Sequence, residues 1–176
     1  RHKGFAVVDP REGMGDKAAI ELVDAPVTRD DITADLRGLG VETGDTLLVH
    51  SSLSSIGWVS GGAQTVIEAL LGAVGETGTV VMPTHTSQYI DPTEWENPPI
   101  PEDWVGTVRA TRPAFDPQRT PTRGVGKIPE TFRSYPAVKR SDHPIYSFAA
   151  WGANADAVVE DHPLDYGLGP DSALGA

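Results

Sequence analysis

The sequence predicts an α/β fold, and three consecutive segments carry that prediction. Residues 46–50, Thr-Leu-Leu-Val-His, form a short apolar run of strand length. Residues 63–74 place Val66, Ile67, Leu70, Leu71 and Val74 on one stripe of a helix. Residues 79–82, Thr-Val-Val-Met, form a second apolar run after a Gly75–Gly78 turn. Strand, loop, helix, turn and strand in that order make a βαβ unit, which favours a parallel pair joined by a right-handed crossover. Both strands read as buried.

The flanking segments add to this unit. Residues 1–27 mix Gly, Pro and both charges without a period and read as an irregular lead-in, with the domain running over 28–176. Thr28 is placed to cap a helix whose first turn carries Asp30 and Asp31, and Ile32, Leu36 and Leu39 follow at helical spacing up to Gly40. Residues 83–123 hold many of the 15 prolines and two of the four tryptophans and read as a long functional loop with one short helix near 105–109. Residues 128–133 start a helix with Pro129 in its first turn. Residues 146–151 form a third strand, and 153–159 a short helix, before a Gly/Pro-rich tail.

Composition narrows the function. The 176 residues contain no cysteine, which excludes disulfides, thiolate metal ligation and a cysteine acyl-enzyme. The net charge of −11, from 25 acidic and 14 basic residues, disfavours nucleic acid and anionic membrane as partners and favours cations. Such a surface also simply aids solubility. No apolar run has transmembrane length and the N-terminus does not have the pattern of a signal peptide, so a cytoplasmic location is expected. The five histidines show no zinc-binding spacing.

Two glycine-rich turns and an acidic loop are the candidate chemistry. HSSLSSIGWVSGGA, residues 50–63, leaves a strand and enters a helix with five serines and three glycines. Glycines admit a ligand close to the backbone, and a helix N-terminus attracts anions, so a pyrophosphate fits here; a plain turn with a helix cap explains the same residues. TRGVGKIPE, residues 122–130, is a second such turn, where Arg123 and Lys127 suit phosphates, although basic residues beside glycines are more often plain solvated loop. His143 precedes the third strand and is the best general-base candidate in the chain, although a histidine in this setting is more often a structural hydrogen bonder. The loop at 89–104 carries Asp91, Glu94, Glu96, Glu102 and Asp103 with Tyr89, Trp95 and Trp104 between them, a pattern that suits a polyamine or amino sugar and equally a solvated loop anchored by its aromatics. A serine nucleophile at Ser51 or Ser52 lacks a G-x-S-x-G elbow.

Taken together, LVHSSLSSIGWVSGG (48–62), VMPTHT (81–86), PAFDP (113–117), RGVGKIPE (123–130), RSDHP (140–144) and YGLGPDS (166–172) resemble, in order, the motifs of the aminoglycoside 3-N-acetyltransferase family. The resemblance implies a layered α/β/α sandwich with a central mixed sheet. It implies acetyl-CoA (coenzyme A) as acetyl donor and, as acceptor, the 3-amino group of a cationic 2-deoxystreptamine aminoglycoside, with antibiotic resistance as the outcome. By motif, Ser51, Ser52, Leu53, Gly61 and Gly62 lie along the cofactor; Arg123, Gly126 and Ile128 contact its phosphates or pantetheine; Phe148 lines the same channel. Tyr89, Asp103 and Asp165 are the substrate-binding candidates and His143 the catalytic one. The family's chain is expected to continue beyond residue 176 into a His/Asp/Thr-rich motif that holds its general base, and nothing in this sequence matches that motif. The alternative function is therefore a cofactor- or cation-binding domain without turnover. The sequence leaves monomer and homodimer both open.

Overall fold

The chain is described by a computed structural model over residues 12–170 and 172–175. Its element order is α1 (Glu12–Glu21), α2 (Arg29–Gly38), β1 (Thr46–Leu48), α3 (Leu53–Ile56), α4 (Gly62–Val74), β2 (Thr79–Pro83), α5 (Val105–Thr111), α6 (Lys127–Phe132), β3 (Lys139–Arg140), β4 (Phe148–Gly152) and α7 (Ala155–Val159). The sheet order is β1-β2-β4-β3. β1 and β2 run parallel with Leu47 opposite Val80, and β4 runs antiparallel to β2 with Val81 opposite Ala150.

The alternation of side chains along β2 and β4 creates three layers. Val80, Met82 and Ala149 face α4 and α6, where Val66, Ile67, Leu70, Val74, Ile128 and Phe132 complete the main core. Val81, Phe148 and Ala150 face the opposite way and pack on Ala155 and Val158 of α7. The expected α/β/α sandwich with a mixed central sheet is what the chain forms. α2 packs along α4 and starts as its sequence requires. The Thr28 hydroxyl accepts from the Asp31 N–H at 3.3 Å, and the Asp31 carboxylate accepts from the Thr28 N–H at 2.9 Å, a reciprocal capping box.

Three expectations need correction. The lead-in is not irregular throughout, because Glu12–Glu21 is helical and packs against α3, burying Ala19; the part of it over residues 1–11 lies outside the described residues. β1 is not a buried strand: it sits at the edge of the sheet with Thr46 and Leu48 exposed and Leu47 half-buried. The third strand begins at Phe148 rather than 146, and the two-residue β3 beside it is too short to show any periodicity.

The 83–123 segment is a long loop whose backbone is held by its own side chains. It contains three single 3₁₀ turns and α5. Arg109 forms an ion pair with Asp91 at 2.7 Å, and Arg112 donates to the Gln88 and Ile90 carbonyls. Among the described residues, no helix is long and apolar enough to cross a membrane.

Candidate functional site: a glycine-lined cleft beside a histidine cluster

Beyond β1 the chain makes the four-residue α3, turns, and enters α4 through Gly61 and Gly62, both at positive φ (+86° and +61°). A side chain at Gly61 would meet the Thr65 hydroxyl at 2.4 Å, and that hydroxyl already donates to the Ser60 carbonyl at 2.6 Å. The turn is therefore tight, and among the described residues no side chain caps α4. The Gly62 N–H is taken by the Val59 carbonyl at 2.9 Å, while the N–H groups after it have no intrahelical acceptor, so this end presents donors and the positive end of the helix dipole.

This turn forms one wall of a cleft of about 910 Å³, within the size range of small-molecule and cofactor sites. Ser51, Ser52, Leu53, Gly61 and Gly62 line it, and Gly124, Val125, Gly126 and Lys127 face them from the second glycine turn. The buried Ser51 Oγ has no hydrogen-bond partner among the described residues. Asp16 and Ala19 of α1 also line it, as do Trp58, Gln64 and Thr131. The α1 residues had no signal in the sequence, since helix 12–21 carries Gly13 and Gly15 and shows no apolar stripe.

The second turn is fixed from two sides. The Arg123 N–H donates to the His85 carbonyl at 2.9 Å. The Thr122 N–H and hydroxyl both donate to Glu130 at 2.7 Å, and Arg133 forks onto the same carboxylate at 2.5 and 2.9 Å. Partial burial pushes the Glu130 carboxyl up, but the Arg133 guanidinium and the Thr122 donors outweigh it and hold the group at about 2.

Not every expected residue reaches the cleft. Ile128 is 1% exposed and belongs to the main core, since its place in the first turn of α6 points its side chain at the sheet. Phe148 is buried in the second core with its ring 5.4 Å from His85, so it lines no channel with the glycine turns. The Arg123 side chain lies over the Trp95 ring at 5.8 Å. Tyr89 donates its hydroxyl to the Pro113 carbonyl at 3.0 Å, and its face is covered by Arg112 at 4.9 Å. The aromatic faces of the acidic loop are thus partly occupied by the protein's own arginines. Asp103 and Asp165 are exposed and lie outside the cleft lining.

His143 is 3% exposed, and its Nδ1 accepts from the Ile145 and Tyr146 N–H groups at 3.1 and 3.0 Å. That occupies the basic lone pair and leaves the neutral ring's proton on Nε2, which is buried against Gly167. In this conformation His143 is a structural acceptor and not an open base. Its ring lies 4.7 Å from that of His162. His162 accepts at Nδ1 from the Ser141 hydroxyl (2.9 Å) and donates from Nε2 to the Gly167 carbonyl (2.7 Å). His85 packs edge-on against Tyr146 and Phe148.

Burial pulls the pKa of His85 down, helped by His50, His143 and His162; burial also lowers His143, with His162 adding and the Leu164 carbonyl opposing. Both rings therefore favour the neutral form in the fold more than in the unfolded chain. Their contribution to stability is complete above the ordinary histidine pKa of about 6.5 and is lost as pH falls below it. Urea denaturation should show a flat midpoint from pH 8 to 7 and a falling one from about pH 6.5 to 5, by at most about 1.4 kcal/mol per pH unit for each proton taken up. Glu130, held near 2, adds its own loss only at lower pH, so a midpoint flat down to pH 5 would contradict the burial of these rings.

Fold and site define a three-layer α/β protein with a cleft walled by two glycine turns. The chain belongs to the aminoglycoside 3-N-acetyltransferase family, whose sequence profile matches residues 48–176. It is 53% identical over 160 residues to the SPbeta prophage-derived aminoglycoside N(3')-acetyltransferase-like protein YokD of Bacillus subtilis (strain 168), covering 90% of this chain and 59% of that protein. The YokD crystal structure superposes with a TM-score of 0.86 at 52% identity over the same shares of the two chains. Aminoglycoside N(3)-acetyltransferase VIII of Streptomyces fradiae is 43% identical over 164 residues, 92% of this chain and 56% of that protein. The binary structure of AAC-IIIb with CoASH is similar with a TM-score of 0.73 at 37% identity, covering 85% of this chain and 55% of that one. The chain thus spans a little over half the length of these relatives.

Proposed function

We propose that this chain forms the coenzyme A-binding part of an aminoglycoside N(3)-acetyltransferase, which moves the acetyl group of acetyl-CoA to the 3-amino group of a 2-deoxystreptamine antibiotic and so confers resistance. One observation carries the reading: two glycine turns some sixty residues apart, 61–62 and 124–126, meet across one cleft. The similarity to a relative solved with CoASH supports it.

The chemistry follows from the residues. Acetyl-CoA supplies an activated thioester; the chain's part is to hold it. Gly61 and Gly62 let the α4 N-terminus approach anionic groups. Ser51 offers a hydroxyl, and the Gly124–Lys127 turn offers backbone groups to an amide-bearing chain. The acceptor amine must lose its proton to attack, and the net charge of −11 draws a polycationic acceptor towards the protein. Fixing donor and acceptor together supplies much of the rate acceleration. In this reading the enzyme works in the cytoplasm.

A second reading, binding of coenzyme A without turnover by this chain, is favoured by the occupied Nδ1 of His143, which leaves the best sequence candidate for a base closed. One experiment separates the two: thiol release from acetyl-CoA with and without gentamicin, alongside calorimetry with CoA on the same sample. Antibiotic-dependent thiol release would select the acetyltransferase reading for the chain itself. Binding without release would select the second reading, and the absence of both would overturn the proposal.

A further inference from the structure

The loop that leads into the second wall of the cleft is fastened to the sheet by one arginine fork. Arg140, on β3, spreads its guanidinium between two parts of the molecule. Nε donates to the Thr84 and Ser147 hydroxyls at 3.1 Å each, and Nη2 donates to the Thr84 carbonyl at 2.7 Å. Nη1 donates to the Pro117 and Thr120 carbonyls at 3.2 and 2.6 Å. The Phe115 ring lies 5.1 Å from the guanidinium carbon. Thr84 and Ser147 are fully buried where β2 ends and β4 is about to begin; Pro117 and Thr120 belong to the loop that runs on into Thr122–Gly126.

All five of these acceptors are uncharged. A cation withdrawn from water is tolerable only if several fixed dipoles replace its hydration, so Arg140 holds its place only while both the sheet and the loop keep theirs. Burial pulls its pKa down to about 10, with Arg133 adding and Glu130 opposing, which leaves it charged at neutral pH. The loop is then continuous with two further fastenings, Thr122 on Glu130 and Arg123 on the His85 carbonyl. Arg133, just after α6, also donates to the Gln118 carbonyl at 3.0 Å and Gln88 to the Pro121 carbonyl at 2.8 Å, while the Arg140 fork ties the 117–120 backbone to the β2/β4 end of the sheet.

We propose that Arg140 is a positioning residue for the cofactor: it sets the 117–120 loop against the β2/β4 edge, and through it the Gly124–Lys127 wall of the cleft. This rests on the reading of the cleft as a coenzyme A site. A lysine has one nitrogen and no fork, so it preserves the charge but cannot span Thr84, Ser147, Pro117 and Thr120 together.

The test is Arg140→Lys against Val158→Ala, a core truncation beneath α7 on the face of the sheet away from the cleft. Calorimetry with CoA on the intact proteins should show Arg140→Lys weakening binding about tenfold, the scale of one lost charge-assisted hydrogen bond. Val158→Ala should lower the thermal midpoint but leave CoA affinity within about twofold, because distant sites act independently. Hydrogen exchange should show the Thr122 and Arg123 amides losing protection in Arg140→Lys while those of β2 keep theirs. Unchanged CoA affinity in Arg140→Lys, or an equal loss in Val158→Ala, would overturn the proposal. If the unsubstituted protein binds no CoA, the coenzyme A reading fails by itself, and unchanged protection of the two amides would still overturn the role of Arg140. Should Arg140→Lys not fold, Ser147→Ala removes one Nε acceptor and should weaken CoA by about threefold; no weakening there would also overturn it.

Discussion

Gly152→Ala will destabilise the protein by more than about 3 kcal/mol, a large part of the 5–15 kcal/mol typical of a domain. Gly152 ends β4 opposite Thr79, at φ +111°, a region that side chains rarely enter. A methyl group there would lie 2.0 Å from the Gly78 carbonyl oxygen and 2.9 Å from the Thr79 Cα. Both obstacles are backbone, and neither can move freely. The Gly78 carbonyl accepts from the Ala153 N–H at 3.0 Å, and a side chain at Gly78 would itself strike Val74 at 2.5 Å and the Asp45 carbonyl at 2.8 Å. Relief by sliding β4 would break its register with β2 and with it both cores, which meet on these two strands. Urea denaturation of the soluble variant measures the loss; a change below about 1 kcal/mol would mean that the backbones of 78 and 152 do not approach this closely.

What the sequence made legible, and what it hid, follows from the range over which each signal acts. The α4 stripe and the β2 run were readable because burial dictates residue type position by position: Val66, Ile67, Leu70 and Val74 are buried, and β2 is buried throughout. β1 misled because Leu47 and Leu48 read as apolar whether a strand lies inside a sheet or on its edge, and the edge position depends on partners elsewhere in the chain. Ile128 follows a glycine motif and Phe148 opens β4, yet helix and strand geometry turn both into the cores. His143 shows the same limit at the level of one atom. Its residue type suggests a base, whereas its chemistry is decided by two backbone N–H groups that no residue type reveals. The two glycine turns were each visible alone, but their meeting in one cleft, with Asp16 and Ala19 of α1 beside them, is a product of the tertiary fold.

Gly62→Asp will weaken CoA about ten- to a hundredfold, while Gly62→Asn, of nearly the same shape, will weaken it by less than about threefold. Gly62 has φ +61°, which Asn and Asp tolerate better than other side chains, and no described atom lies within 4 Å of where its Cβ would be. Neither substitution should therefore distort the turn. At the first residue of α4 the carboxylate also faces the positive end of the helix dipole, an effect of about 0.3–1 kcal/mol in favour of the fold. The two variants should thus differ little in stability and greatly in affinity. The difference is the repulsion between one added negative charge and the phosphates of the ligand, so raising the salt should shrink it. Calorimetry of both variants at low and high ionic strength decides the matter. Equal affinities would mean that the α4 N-terminus does not face phosphate, and the coenzyme would then have to lie with its pantetheine, not its pyrophosphate, against Gly62.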